Sequence, residues 1–459
     1  MSLLGERYAS EEMREIWLRK NKVLMERRLW ISVMKIQADL GLPISQSVIS
    51  DYERVLSQVN LESIDEREMQ LGHDVKARIE EFNALAGHEQ IHLGMTSRDL
   101  TENVELVQIK QALNLILFKS RVLLHRLANR AETFAEMLIV ARTHNVPAQL
   151  TTLGKRFATW AEELELAEAN LENLIARLPI RGIHGAVGTN LDLNELIPDK
   201  AIALNEALKV ELGFTEQLSA PSQIYPRSLD FEVVASLFQI AASPSSIATN
   251  IRLMSGLNLA SEGLSKGKTG SSAMPHKINP RLSERVNSLA SILKGHLTMV
   301  ADLSGAQWNE GNVSCSALRR VALPDAFYAT DAILEIMIQL LENLEFNEVK
   351  IQGEVEELIP QVSSSALLML AVKKGAGREV AHKAIKQHSQ NSEVGDDFFK
   401  LILGDKTLQI TALEIEELKS DLKGLAGDAT SQALETSKRI KGRLAEKVEL
   451  IKFSPSILR

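Results

Sequence analysis

Residues 270–284 have the types and spacing of a reactive loop. Two adjacent serines, Ser271 and Ser272, precede a Met-Pro turn, and Lys277 follows five residues beyond Ser272. A glycine before the serines and Pro275 after them favour an irregular backbone, the setting in which a rigid scaffold usually displays reactive groups. Hydroxyls, backbone N–H groups and a cation held together can remove a proton and stabilise the negative charge that results.

The composition narrows the kind of protein that carries this loop. Of the 459 residues, 45% are hydrophobic, so we expect a large core divided among two or three domains. The net charge of -8 argues against nucleic acid or an acidic membrane as a partner, because both need a basic surface, but it allows a small anionic substrate. Cys315 is the sole cysteine, which excludes an intrachain disulfide and favours a reducing compartment.

The sequence shows neither a secretory signal nor a membrane-spanning segment. The first ten residues lack the basic and apolar regions of a secretory signal, and no uninterrupted apolar run approaches the roughly 18 residues of a membrane span. We therefore predict a cytoplasmic protein without a membrane partner.

The apolar spacing predicts an all-α fold built around long helices. Residues 100–137 contain neither proline nor glycine, and residues 229–260 repeat apolar side chains in alternating steps of four and three, the pattern of a bundle seam. Pro244 lies inside that seam and should kink the helix near residue 240. We find no convincing strand periodicity. Further helices are predicted at 286–300, 326–344, 366–373 and 378–388.

These patterns divide the chain into three predicted domains. A helical N-terminal domain covers residues 1–95, a central long-helix bundle with the serine loop covers 96–345, and a smaller helical C-terminal domain covers 346–459. Helices this long, with apolar stripes, must cover one another's seams or be covered by neighbouring chains.

A second motif resembles a metal site. His88 and His92 match the five-residue pattern in which two histidines one helical turn apart bind zinc and Glu89 acts as the base. Two glycines bracket the motif within one turn, and no third histidine follows at the spacing of the extended pattern. Residues 263–269 resemble a phosphate loop but have three residues between the glycines where four are required. We predict neither a metal nor a cofactor.

Several short polar turns interrupt the apolar regions. Thr143 and His144 precede Pro147, at a point where a helix would be interrupted. Because these turns are separated along long helices, together with the serine loop they suggest convergence on one cleft. The remaining residues of these turns are His73, Asp74, His92, Thr96 and Ser97.

An arginine pair follows a second serine cluster. Arg319 and Arg320 come just after Ser316, and arginine grips phosphate or carboxylate groups bidentately. A solvated helix face explains the pair equally well from sequence alone.

The serine loop resembles the signature of the fumarase/aspartase superfamily, Gly-Ser-x-x-Met-Pro-x-Lys-x-Asn, at every fixed position. Within this superfamily, the loop with Ala273 and His276 at its variable positions resembles that of the adenylosuccinate lyase family. So do the stretches at 7–8, 73–74, 91–97, 142–144, 151–154 and 223–227.

This resemblance implies a reaction and a role for each motif. The enzymes of the family split fumarate from a succinylated amine by anti β-elimination, without a cofactor: from adenylosuccinate, giving AMP, and from the related succinylated imidazole carboxamide ribotide, SAICAR, giving AICAR. By resemblance Ser272 is the base and His144 the acid. Lys277 and Asn279 bind a succinyl carboxylate or the developing charge, and Glu284 orients His92.

The resemblance also implies a substrate-binding set. Thr96 and Ser97 would hold a carboxylate through hydroxyls and backbone N–H groups. The family forms homotetramers in which three chains build each active site, which fits the long apolar seams. The other substrate-binding residues implied are Arg7, Tyr8, His73, Asp74, Thr143, Gln223, Ser271, Arg285, Ser316 and Arg320.

One position departs from the common family pattern. Many members read Trp-His-Glu-Arg-Asp where this chain has residues 308–312, so that the arginine expected at the nucleotide phosphate is Gly311. Ser316 and Arg320 are retained.

The sequence alone leaves three other functions open. A sister lyase or cycloisomerase of the same scaffold would act on another dicarboxylate, but Ala273 and His276 disfavour it. A non-catalytic descendant of the fold is disfavoured by the presence of both Ser272 and His144. A zinc hydrolase would use His88 and His92.

Overall fold

The computed structural model describes residues 2–263, 274, 277–391, 395–445 and 448–456. The predicted all-α architecture is confirmed, with little sheet. The first helices are α1 (Leu3–Tyr8), α2 (Glu11–Trp17), α3 (Arg19–Asp39), α4 (Gln46–Val55), α5 (Leu61–Leu71) and α6 (Asp74–Ala86). The central elements are α7 (Ser97–Thr133), β1 (Leu138–Thr143), β2 (Val146–Thr152), α8 (Leu153–Arg177), β3 (Pro179–Ile180), α9 (Leu191–Leu196), α10 (Ala201–Glu211), β4 (Glu216–Gln217), α11 (Ser228–Gly256), β5 (Ala260–Ser261), α12 (Arg281–Leu303) and α13 (Cys315–Asn343).

The last part of the chain is made of shorter helices. The strand β6 (Glu345–Phe346) comes first and pairs with β5. The helices that follow are α14 (Glu348–Val362), α15 (Ser364–Lys373), α16 (Arg378–Asn391), α17 (Gly395–Gly404), α18 (Ala412–Ser420), the 3₁₀ turn Gly424–Ala426, α19 (Ala429–Leu444) and α20 (Val448–Lys452).

Five long helices, α7, α8, α11, α12 and α13, pack into the central bundle. Each contributes fully buried side chains to one continuous core, and each such leucine or isoleucine stabilises the fold by roughly 1.5–3 kcal/mol relative to exposure. Helix α7 follows from a 37-residue run without proline or glycine, which gives a rod of roughly 55 Å. One buried residue from each helix illustrates the shared core: Leu113, Leu164, Leu237, Leu293 and Ile333.

The predicted domain boundaries near residues 95 and 345 stay a prediction. Ala9 and Met13 near the start of the chain, and Ile440 and Leu444 near its end, belong to the same apolar cluster as the bundle. A second cluster lies among α3, α4 and α6, where Trp30 stacks on Phe82 with ring centroids 6.2 Å apart. A third lies among α15 to α18.

Three small sheets were not anticipated from the sequence. The strands β1 and β2 form an antiparallel hairpin, β3 and β4 pair in parallel, and β5 pairs with β6 in antiparallel fashion. The last pair fixes the residues before Glu262, whose buried carboxylate accepts the N–H groups of Leu282 at 2.9 Å and Ser283 at 2.7 Å. A carboxylate at this position satisfies unpaired donors and the dipole of α12.

Two described stretches, Ser228–Gly256 and Glu348–Lys373, are long and apolar enough to cross a membrane by length and composition alone. This is weak support for a span, because a core helix of a water-soluble protein passes the same test. The first stretch is α11, which packs against α8, α12 and α13, and the second contains two helices separated at Ser363.

A buried ion cluster joins the two ends of the chain to the bundle. The Lys119 ammonium lies 2.5 Å from both Asp331 and Glu335, and all three side chains are at most 1% exposed. The Ser10 N–H donates to Asp331 at 2.7 Å, and the Ser456 N–H donates to Glu335 at 2.7 Å. Burial raises the pKa of Glu335, although Lys119 opposes that shift.

We predict that Lys119→Met destabilises the protein by about 3–5 kcal/mol, because it leaves two buried carboxylates without their cation. Chemical denaturation of the variant measures this loss. The exposed Lys438→Met is the matched control and should change the free energy of unfolding little. The triple variant Lys119→Met, Asp331→Asn, Glu335→Gln should recover part of the loss; equal stability of Lys119→Met and the wild type would contradict the assigned role.

Candidate active site

A cleft of about 1150 Å³ lies between the helices near the N-terminus and the central bundle. Its walls come from the junction of α2 and α3, the turn between α5 and α6, the start of α7 and the first turns of α13. The sequence predicted that polar turns converge, and this cleft brings together five of the predicted substrate-binding residues: His73, Asp74, Ser97, Ser316 and Arg320.

His73 is oriented by the helix it caps. Its Nδ1 accepts the backbone N–H of Lys76 at 3.2 Å, and its Nε2 lies 3.4 Å from the Ser97 hydroxyl. Because Nδ1 is occupied as an acceptor, a neutral imidazole carries its proton on Nε2. His73 therefore presents a donor toward Ser97 or toward a ligand that replaces this contact.

Asp74 connects the cleft to the buried charges beneath it. Its carboxylate lies 3.3 Å from Arg78 and 3.9 Å from Arg320. Burial raises the pKa of Asp74, but these cations and the Val75 N–H outweigh it, so the pKa lies below its usual value. Asp74 is thus an anion at neutral pH and an available acceptor.

The two neighbouring arginines of α13 have different roles. The Arg319 guanidinium is buried and donates to Asp230 at 2.7 Å and to Glu105 at 2.6 Å. The Arg320 side chain is 74% exposed at the cleft. Of the two arginines considered as an anion clamp, only Arg320 has a free face.

A second cluster joins the start of the chain to α12. The guanidinium carbon of Arg7 lies 5.6 Å from the Tyr8 ring centroid, and that of Arg285 lies 5.3 Å from it. Both distances are within cation–π range. The structure therefore brings these three predicted residues together.

Thr143 and His144 lie at the exposed tip of the β1–β2 hairpin. His144 and Asn145 form its two-residue turn, with φ values of 53° and 64°, the combination that a type I′ turn requires. Close to this tip, an ion pair between Arg142 and Glu354 joins the hairpin to α14. His144 is exposed to solvent, and its side chain makes no hydrogen bond to the part of the chain that the structure describes.

His92 lies in a polar turn below the cleft, with φ 64°. Its Nδ1 accepts the Trp30 indole N–H at 3.0 Å, and burial lowers its pKa to about 4, so it is neutral near pH 7. The segment from His88 to His92 is not helical, and His88 Nε2 instead lies 2.9 Å from Asp51. The one-turn spacing that the zinc pattern requires is therefore lost.

Comparison with known proteins shows what this chain is similar to. The lyase family model matches residues 7–295. Adenylosuccinate lyase of Schistosoma mansoni is 35% identical over 85% of this chain and 82% of its own length, and that of Saccharomyces cerevisiae is 33% identical over 83% and 81%.

The chain belongs to the adenylosuccinate lyase family.

Solved structures agree on the fold. The fumarate lyase from Mesorhizobium sp. BNC1 superposes with a TM-score of 0.81 at 19% identity, over 95% of this chain and 100% of that one. The 3-carboxy-cis,cis-muconate lactonizing enzyme from Pseudomonas putida gives 0.84 at 21% identity, over 96% and 99%. At these identities the likeness concerns the fold alone.

Within this family member, one chain does not bring all the predicted residues together. Glu284 is exposed on α12, while the described contact of His92 is with Trp30, so Glu284 does not orient His92 within the described part of one chain. The Thr96 N–H donates to Asp99 at 2.7 Å and is not free for a substrate carboxylate. The predicted role of that N–H therefore needs correction.

Gly311, the residue that differs from the common family pattern, lies beside Gln223. The Gln223 N–H donates to the Glu310 carbonyl oxygen at 2.9 Å, and a Cβ at Gly311 would lie 3.1 Å from the Gln223 side chain. A side chain at 311 would therefore require the Gln223 side chain to shift slightly, and glycine avoids this crowding.

The serine loop itself is only partly described. Ser271 and Ser272 lie outside the described residues. Lys277 is exposed, and Asn279 is half-buried two residues before α12. Their position immediately before α12 depends on Glu262, which holds the first turn of that helix.

Sequence reasoning missed the buried charges that support the cleft. Arg78 reaches Glu26 at 2.8 Å, and burial raises the pKa of Glu26 although Arg78 opposes the shift. Both residues line the cleft. The available signal was a charged residue on the apolar face of a predicted helix, since such residues are rarely buried unless paired.

We predict that acid destabilises the protein partly through His92. Its pKa is about 4 in the native state against 6.5 for the unpaired side chain, so the unfolded chain takes up the proton first as the pH falls. This stability is fully present above pH 6.5 and is lost toward pH 4, by up to about 3 kcal/mol.

Unfolding free energies of the wild type and His92→Asn, compared at pH 7 and pH 4.5, test this contribution. Asparagine tolerates the left-handed conformation and can accept the Trp30 proton. The variant should lose less stability on acidification than the wild type does. The exposed His382→Asn is the control, and an identical acid loss in all three proteins would exclude His92 as the cause.

Proposed function

We propose that this protein releases fumarate from adenylosuccinate, giving AMP, and from SAICAR, giving AICAR, in purine nucleotide biosynthesis. The observation that carries the proposal is the meeting of His73, Asp74, Ser97, Ser316 and Arg320 in one cleft of a chain that belongs to this family. It acts as a lyase on a small molecule.

The nucleotide part of the substrate suits the cleft. Arg320 is the exposed cation at one wall, and a guanidinium binds a phosphate group bidentately. Ser316, one helical turn before it, adds a hydroxyl on the same face of α13. Asp74 and His73 offer an acceptor and a donor on the opposite wall. Arg7, Tyr8, Gln223 and Arg285 are proposed to complete the nucleotide site.

The elimination itself requires a base and an acid on opposite sides of the bond that breaks. Ser272 removes the proton from the carbon beside a carboxylate, and the electron pair forms an aci-carboxylate. This pair then closes the C=C bond of fumarate while the C–N bond breaks, and His144 protonates the departing nitrogen. Lys277, Asn279, Ser271, Thr143, Thr96 and Ser97 are proposed to hold the succinyl carboxylates.

A serine hydroxyl needs an unusual environment to act as a base. Its anion must be stabilised by donors and cations that are already in place, because such preorganised groups act most strongly in a site without bulk water. Lys277 is the proposed cation, and its placement depends on the capped start of α12.

We further propose a homotetramer in which neighbouring chains complete each site. Among the described residues, no hydrogen bond or ion pair joins the His144 hairpin tip or Glu284 to the cleft, and both side chains are exposed. Ile292 on α12 and Val321 on α13 expose apolar surface. A location in the cytoplasm is proposed with this role.

Ser272→Ala and His144→Ala should each lower the turnover of adenylosuccinate by about a thousandfold, because each removes a proton-transfer group. Release of fumarate and AMP, followed spectrophotometrically, measures the effect. His382→Ala, an exposed histidine elsewhere, is the control. Near-normal turnover in either active-site variant would remove that residue from its role, and turnover of a different fumaryl adduct alone would select a sister lyase.

Shared sites predict complementation between the two inactive variants. After Ser272→Ala and His144→Ala chains are unfolded together and refolded, some sites should receive an intact serine from one chain and an intact histidine from another. Activity well above that of either parent is expected. If mixing restores nothing while mixed oligomers are detected by native mass spectrometry, both groups come from the same chain.

A further inference from the structure

A second cavity, of about 500 Å³, lies alongside the β1–β2 hairpin, between α8, α11 and α14. Its lining shares no residue with the cleft described above. Trp160, Leu253 and Met254 form an apolar wall. Its volume lies within the range of roughly 300–1,000 Å³ that is usual for small-molecule sites.

The polar residues of this cavity carry an excess of positive charge. Arg142, Lys155 and Arg156 line it, against one carboxylate, that of Glu354. Arg142 pairs with Glu354. The other two cations keep neutral neighbours among the described residues: Arg156 approaches the Met254 sulfur at 3.4 Å, and Lys155 approaches the Thr159 hydroxyl at 3.3 Å.

Arg156 is the unusual member of this set. Its guanidinium is half-buried, and withdrawing a cation from water without a counter-charge costs free energy. Burial lowers the pKa of Arg156, and the more distant Glu354 only partly opposes the shift. A bound anion would supply the missing counter-charge.

The nearby start of α8 does not supply the anion site by itself. The Leu153 and Gly154 N–H groups donate to backbone carbonyl oxygens at 2.8 Å, and the Lys155 N–H donates to the Thr152 hydroxyl at 3.1 Å. These first-turn donors are already used. An anion here would therefore be held by side chains.

We propose that this cavity binds a phosphomonoester with an aromatic or apolar body, its phosphate between Arg156 and Lys155 and its body against Trp160, Leu253 and Met254. A phosphomonoester carries a charge of about -1.5 to -2 at neutral pH, which matches the two cations that lack a carboxylate. Thr151 and Asn250 line the same cavity and add neutral donors. The apolar wall favours such a ligand over a bare dicarboxylate. Arg142 and Asn145, which also line the cavity, flank the hairpin tip that carries His144, but no step of the proposed elimination uses Arg156 or Lys155.

Calorimetric titration of the full-length protein with phenyl phosphate tests the assignment. The titration uses Arg320→Met as the parent, because this change removes the exposed cation of the other cleft. Adding Arg156→Met should weaken binding by about tenfold or more, as expected for loss of a charge-assisted contact. Adding Glu354→Gln should strengthen it, because the single opposing carboxylate is removed.

Arg130→Met is the matched control. Arg130 is another partly buried arginine whose pKa burial lowers, but it donates to the Leu341 carbonyl oxygen and lines neither cavity. Its removal should leave phenyl phosphate binding unchanged.

Three results would overturn the proposal. The first is that the Arg320→Met parent does not bind phenyl phosphate. This result is expected if a second copy of the chain fills the cavity. The second is binding that Arg156→Met does not weaken. The third is calorimetric competition in which fumarate binds the same cavity as tightly as phenyl phosphate does, which would assign the cavity to dicarboxylates.

Discussion

The buried carboxylate of Asp99 is the interaction on which the geometry of the site depends. This side chain is fully buried and accepts N–H groups from Thr96, His184 and Gly185, at 2.7, 2.9 and 3.1 Å, together with the Arg181 guanidinium. A buried charge is tolerated only when its partners are complete, and removal of one partner costs several kcal/mol. The start of α7, with Ser97, and the loop after β3 are therefore held in a fixed relative position.

The same constraint separates supporting residues from residues that can bind a ligand. Arg319 and Arg227 are buried, and their positive charges are matched by the carboxylates of Glu102, Glu105 and Asp230. These contacts fix α7, α11 and α13 relative to one another, and both side chains are at most 4% exposed. Arg320, the next residue in sequence, is exposed and only 3.9 Å from Asp74. Arg320 and Arg156 are proposed as binding groups because each lines a cavity without a carboxylate within ordinary hydrogen-bond distance among the described residues.

The sequence predicted long helices well and tertiary partners poorly. Helix α7 was expected at 100–137 and spans Ser97–Thr133, because a long run without proline or glycine leaves few alternatives to helix. The hairpin was missed because Pro147, a residue unfavourable to strands, lies within β2, and because the turn contains no glycine. A residue such as Asn145, which tolerates positive φ, was the available signal. Which of Arg319 and Arg320 is buried depends on Asp230, 89 positions away in the chain, and no local pattern encodes that pairing.

The backbone conformation of His144 does not favour stability, which suggests that its exposed position has a functional reason. A non-glycine residue with positive φ costs of order 1–3 kcal/mol, and glycine at this turn position would avoid that cost. The exposed imidazole gains no hydrogen bond among the described residues to offset it. The hairpin is nevertheless fixed by six strand pairs and by the ion pair between Arg142 and Glu354. A strained histidine at the end of a fixed hairpin is what the proposed shared site requires, because there the imidazole would contact a neighbouring chain.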